Sequence, residues 1–167
     1  MTQQPITNQT NATWLAESLR LTVFPSPSVQ INATSWWENV VGHPPENQNI
    51  QPRKGFREEY GRLDSGRLTL VVQPIRIDWR FITAIDEDTG ATIIDQLALF
   101  PAALKTFQPI VERWLKISPA SIRLAFGAVL AMPVNDKQEG YRKLNSYLPK
   151  FEIDPEGSSD FLYQINR

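Results

Sequence analysis

The 167-residue chain has the length of one globular domain with a sizeable core, and its 17 basic residues nearly balance 18 acidic ones. A net charge of −1 withholds the overall positive balance of a dedicated nucleic-acid binder, while leaving local basic clusters open. The absence of cysteine excludes disulfides, thiolate zinc sites, iron–sulfur clusters and cysteine nucleophiles.

The N-terminus lacks the basic start and apolar core of a signal peptide, and no apolar run approaches the roughly 20 residues of a membrane-spanning helix. A soluble cytoplasmic protein with no membrane partner is the expectation. Residues 1–13, rich in Gln, Asn and Thr, read as a disordered polar arm, and residues 14–167 as a single domain.

In chain order, Leu19, Leu21 and Val23 alternate with Arg20 and Thr22, which predicts a strand ending at Pro25. Ser35, Glu38, Gly42 and Pro44 bracket a short helix with a capping box at its start and a glycine at its end. His43 to Pro52 reads as a loop. Phe56 to Leu63 is a strand with Phe56 and Tyr60 on one face. Asp64-Ser65-Gly66 makes a turn with Gly66 available for positive φ. Arg67 to Gln73 returns, Pro74-Ile75 turns the chain, and Arg76 to Thr83 closes an antiparallel meander.

After the polar segment Asp86 to Gly90, Pro101 opens a helix to Lys116 that should kink at Pro109. Leu104, Phe107, Val111, Trp114 and Leu115 form its expected apolar stripe. Ile122 to Val134 is the most apolar run and is the expected central strand. Asp136 and Glu139 box the start of a last helix, with Tyr141, Leu144 and Leu148 on its stripe and Pro149 as its stop. Phe161 to Ile165 is strand-like, and a strand there needs a partner edge in this chain or in another copy.

The succession from the meander onward resembles a sporadically distributed family of uncharacterised bacterial proteins. The features that carry the likeness are the Gly66-Arg67-led hairpin to Phe81 and the helix with Phe107 and Trp114. They continue with Ser121-Ile122-Arg123-Leu124 running to Pro133, Tyr147-Leu148-Pro149, and Phe161-Leu162-Tyr163-Gln164-Ile165. The likeness spans roughly residues 56–167 and implies a fold and no catalytic residues. Members of that family continue past the end of this chain, which leaves a short relative and a C-terminal truncation as alternatives.

No phosphate-cradling glycine loop, serine-nucleophile elbow or metal-spaced histidine pair occurs. The single histidine, His43, lies in Gly-His-Pro-Pro without a partner and reads as an exposed loop residue. Glu58, Glu59 and Asp78 would supply magnesium ligands or an acid/base pair if they converged, and cross-strand ion pairs with Arg57, Arg76 and Arg80 if they did not. Arg53, Lys54, Arg57, Arg62, Arg67, Arg76 and Arg80, near Phe56 and Tyr60, could hold phosphates and stack bases. For the adjacent Trp36 and Trp37 two readings stand: one in the core with Trp37 at a rim or interface, or both covered by the Pro-rich loop after the helix.

The expected fold is therefore α+β, a curved antiparallel sheet of about five to seven strands with a long kinked helix on one face. No catalytic residue, cofactor or metal is assigned. The candidate partner or ligand surface is Arg76, Asp78, Arg80, Arg57, Glu59 and Trp37. A protein–protein interaction or assembly module, self-associating through the C-terminal strand, is the leading reading. Nucleic-acid or phosphate binding on the arginine-bearing face and a metal-dependent hydrolase are the alternatives.

Overall fold

The computed structural model of the protein describes residues 13–86, 88, 89, 93, 96–148 and 153–157. Residues 1–12 of the expected polar arm and the expected strand Phe161–Ile165 lie outside the described residues. The chain divides into two compact units, Met1–Ala131 and Met132–Arg167.

The first unit is an open antiparallel sheet with two helices. β1 (Leu15–Pro25) is followed by the short α1 (Trp36–Val41), the edge strand β2 (Asn47–Gln51) and a 3-10 turn at Pro52–Lys54. The meander β3 (Phe56–Leu63), β4 (Gly66–Gln73) and β5 (Arg76–Ile82) comes next. Then follow the two-residue β6 (Ala98–Leu99), α2 (Phe100–Leu115) and β7 (Ser121–Ala131). The strands order as β2-β3-β4-β5-β1, with β6 and β7 also on β1, which gives seven strands among the described residues.

β1, not the more apolar β7, is the inner strand. It takes β5 on one side and β7 on the other, Leu21 facing both Trp79 and Phe126. The expectation of a central strand at 122–134 is therefore corrected: among the described residues β7 pairs with β1 alone. High apolar content marks a strand that can be buried on both faces; it does not decide where the strand lies in the order.

The meander follows the predicted alternation. Leu68, Leu70, Val72, Ile77, Trp79 and Phe81 are buried on the face that α1 and α2 cover. Within α2, Ala103, Phe107, Ile110 and Trp114 are the buried positions, while Leu104 and Val111 flank them and Leu115 is exposed. The stripe thus centres on Phe107 and Ile110, and Leu115 falls outside it. Pro101 sits in the first turn as expected, and Pro109 lies inside the helix at an exposed position. Four tryptophans meet over β5. Trp37 stacks on Trp79 at 5.9 Å, and Trp114 meets Trp79 at 6.3 Å and Trp36 at 5.7 Å, both edge to face. Aromatic contacts of this kind contribute about 0.5–1.5 kcal/mol beyond area burial.

Three local expectations change. Ser35 makes no capping bond to the backbone of α1; its hydroxyl instead accepts from the Asn39 side chain. The α1 C-terminus does close on Gly42, at φ 94°, whose N–H donates to Glu38 O. At the β3–β4 turn, Asp64 takes the positive φ, 51°, and Gly66 is required for close approach: a Cβ there would stand 1.9 Å from the Ile82 carbonyl oxygen. Residues 47–51 form an edge strand where a loop was expected, because a polar NQNIQ edge carries no apolar alternation to read.

The second unit contains α3 (Lys137–Tyr147), and its predicted start is present. Asp136 accepts from the Glu139 N–H at 2.7 Å, and Glu139 accepts from the Asn135 N–H at 2.8 Å. The reach back therefore goes one residue past the N-cap N–H that closes a standard box. The hydrogen bonds from the Lys143 side chain and the Asn135 N–H hold the Glu139 carboxyl below its ordinary range, against desolvation, with charge attraction to Lys143 a lesser cause. No helix among the described residues is long and apolar enough to cross a membrane.

Candidate functional site

The six residues singled out in the sequence separate onto opposite faces of the sheet. Arg57, Glu59 and Trp37 lie on the helix-covered face. Arg76, Asp78 and Arg80 lie on the other, because β4 residues Val72 and Leu70 pair with Arg57 and Glu59, whereas Val71 pairs with Asp78. A single composite surface is ruled out by this register.

Two of these residues are not surface residues. Trp37 is 1% exposed and Glu59 is 2% exposed. Trp36 is buried as well, so both adjacent tryptophans join the core, one against Trp114 and one against Trp79. Adjacent positions on a six-residue helix achieve this because the helix is wedged between α2 and the sheet. Glu59 accepts from Arg57 NH2 at 2.5 Å within its own strand, and Arg57 also reaches the Thr34 carbonyl. The inward phase of β3 is set by Gly61, whose missing side chain makes room for Trp37 at 3.2 Å from where a Cβ would stand. Gly61 was the available signal: odd positions of β3 face in, and Phe56 and Tyr60 face out.

The three carboxylates do not converge. Glu59 points to the core, and Glu58 and Asp78 are separated by β4, two strand spacings or roughly 10 Å apart. No group of three or more ligating side chains occurs among the described residues. His43 is exposed in its loop, with Nδ1 2.9 Å from the Pro44 carbonyl. An open cleft of about 540 Å³ lies beside the 29–34 segment, with Arg57 on its wall. That cation is paired with Glu59 and reaches Thr34 through one terminal nitrogen, while its buried Nε has no partner.

Two features remain uncommitted. The first is the open face of the sheet. Here Arg76 grips Asp78 through Nε at 2.6 Å and NH2 at 3.0 Å, Thr22 donates to the same carboxylate at 2.5 Å, and Arg20 stands 3.9 Å away. Arg80 is exposed and lies directly opposite Arg20 in the strand register. The predicted cross-strand ion pairs are thus mostly replaced by pairs two residues apart on one strand. The second feature is β7. Ile122 is 70% exposed, Leu124 52%, Phe126 53% and Val129 51%. Leu124 and Phe126 share the face that is covered over β5, at the levels of Val23 and Leu21.

No protein-family model, curated protein or solved structure matches the chain. The reading of these surfaces therefore rests on their own chemistry.

Proposed function

We propose that this chain is a non-enzymatic assembly module and that β7 is its working surface, joining a second copy edge to edge. The observation that carries this reading is the exposure of Leu124, Phe126 and Leu130 on a strand paired on one side only, among the described residues. A free strand edge offers alternate N–H and C=O groups to another chain. Eleven residues of strand make a seam of roughly 35 Å at about 3.3 Å per residue.

The sequence of β7 suits pairing with itself. An antiparallel copy centred on Phe126 sets Ile122 against Leu130 and Leu124 against Ala128 on one face, and Arg123 against Val129 and Ala125 against Gly127 on the other. Its one charge, Arg123, then meets an aliphatic residue and never its own copy. By contrast, the β2 edge is a run of amides with no comparable apolar content.

Light scattering across a wide concentration range tests the reading. The wild-type chain is expected to pass from monomer to dimer, and Phe126→Lys, which sets two ammonium groups against each other at the dyad, is expected to stay monomeric with unchanged circular dichroism. A wild-type monomer at every concentration overturns the proposal.

A further inference from the structure

The alternation of the strands sorts charge as well as hydrophobicity. The open face carries Arg20 on β1, Arg62 on β3, Arg67 on β4, Arg76 and Arg80 on β5, and Arg123 on β7. Its register-paired strand carboxylates are Glu58 and Asp78, and Glu17 stands at the β1 bulge beside Ser18. Six of the chain's eleven arginines thus stand on one face, and the remainder of a chain of net charge −1 is acidic. The overall balance that argues against a polyanion partner conceals a segregated positive surface.

At the centre of that face like charges abut. Arg20 and Arg80 are register partners, so their Cα atoms are about 4.5–5.5 Å apart, an arrangement that destabilises a sheet unless something offsets it. Asp78 offsets it only in part, since its near donors are Thr22 and Arg76 and its ion pair with Arg20 is long, at 3.9 Å. Next to Arg20 on β7 stands Gly127, where an added Cβ would meet nothing within 4 Å, so the row is open above. Two aromatic rings lie on the same face, Tyr60 beneath the Arg67 guanidinium and Phe24 beneath that of Arg123, each at 5.5 Å.

We propose that this face binds single-stranded nucleic acid, with Arg20 and Arg80 as the central phosphate clamp and Arg67 and Arg123 extending it to either side. The cations of the face are all arginines, whose planar forks hold phosphate oxygens two at a time. They spread over five strands, roughly 20 Å at about 4.8 Å per strand, which suits consecutive phosphates better than one isolated group. The Arg67–Tyr60 and Arg123–Phe24 pairs, each a guanidinium over a ring at 5.5 Å, present planar guanidinium surfaces on which bases can stack without sequence preference. A sheet face offers no helix to a duplex groove, and its arginine–aromatic pairs have no role toward a lipid headgroup. This inference is independent of the assembly proposed for β7.

The test is fluorescence anisotropy of a labelled oligothymidylate with the full chain. Saturable binding is expected, weakening about 20- to 50-fold between about 50 and 200 mM salt, as three to four phosphate contacts on a single strand require. Arg20→Gln/Arg80→Gln is expected to weaken binding at low salt and to flatten the log–log salt slope by about 1.4, with a melting temperature no lower than wild type. Lys105→Gln, an equal charge change per site on exposed α2, leaves binding unchanged. No saturable binding at low salt, an equal loss in Lys105→Gln, or binding of a phosphopeptide or anionic vesicle but not of the oligonucleotide would each overturn the proposal.

Discussion

β5 and β7 flank the same strand at the same levels, and their side chains meet opposite fates. Val23 lies between Ile77 and Leu124, Leu21 between Trp79 and Phe126, and Leu19 between Phe81 and Ala128. Ile77, Trp79 and Phe81 are at most 2% exposed beneath the helices, whereas Leu124 and Phe126 are more than half exposed. Both strands alternate, and both are apolar on the helix side. The difference is in what lies above them: α1 and α2 cover β5, and β7 keeps its apolar row in the open. Apolar alternation therefore records a surface suited to cover, and on β7 that surface stays exposed.

Three substitutions sharpen this contrast, and the largest effect belongs to the covered side. Trp79→Ala removes the ring that stacks on Trp37 and meets Trp114, and is expected to cost about 3–5 kcal/mol in chemical denaturation. A loss below about 1 kcal/mol would mean that β5 is not the core strand. Arg57→Met comes second. It leaves the Glu59 carboxylate buried without its cation, and a cost of about 2–3 kcal/mol is expected, below the roughly 3–5 kcal/mol of a fully buried pair because Arg57 is 18% exposed. Arg57→Met/Glu59→Leu should recover most of it. Phe126→Lys comes last. At concentrations where the chain is monomeric it should change stability by no more than about 0.5 kcal/mol, as a surface change does. A loss near that of Trp79→Ala would show that β7 is covered after all.

Much of the fold is readable from the chain. The meander, its Pro74-Ile75 turn and the inward phase of Ile77, Trp79 and Phe81 follow from alternation and turn chemistry. The helix from Phe100 to Leu115 follows from Pro101 and the spacing of Phe107 and Trp114. What alternation does not fix is order. Which strand becomes the inner one depends on long-range pairing, so β1 took the place expected of β7.

The candidate site was legible in half. Arg76, Asp78 and Arg80 do form an outward row, because Trp79 between them is committed to the core. Arg57 and Glu59 misled because a charged pair two residues apart on a strand looks solvated; only Gly61, which admits Trp37, betrays the phase. Trp37 is ambiguous between rim and core in the sequence because neighbours on a helix rarely share one core; here a short helix buries both its tryptophans, one against α2 and one against β5. The facing of Arg20 and Arg80 needed the β1–β5 register, which joins residues 60 positions apart.

Hydrogen–deuterium exchange along Ser121–Ala131 tests the central claim most directly. On an edge strand every second N–H bonds to β1 and the others point outward, so the free chain should show alternating slow and fast amides. Raising the protein concentration should slow the outward set in wild type and leave it fast in Phe126→Lys. Outward amides that exchange at the same rate at every concentration would contradict assembly through β7.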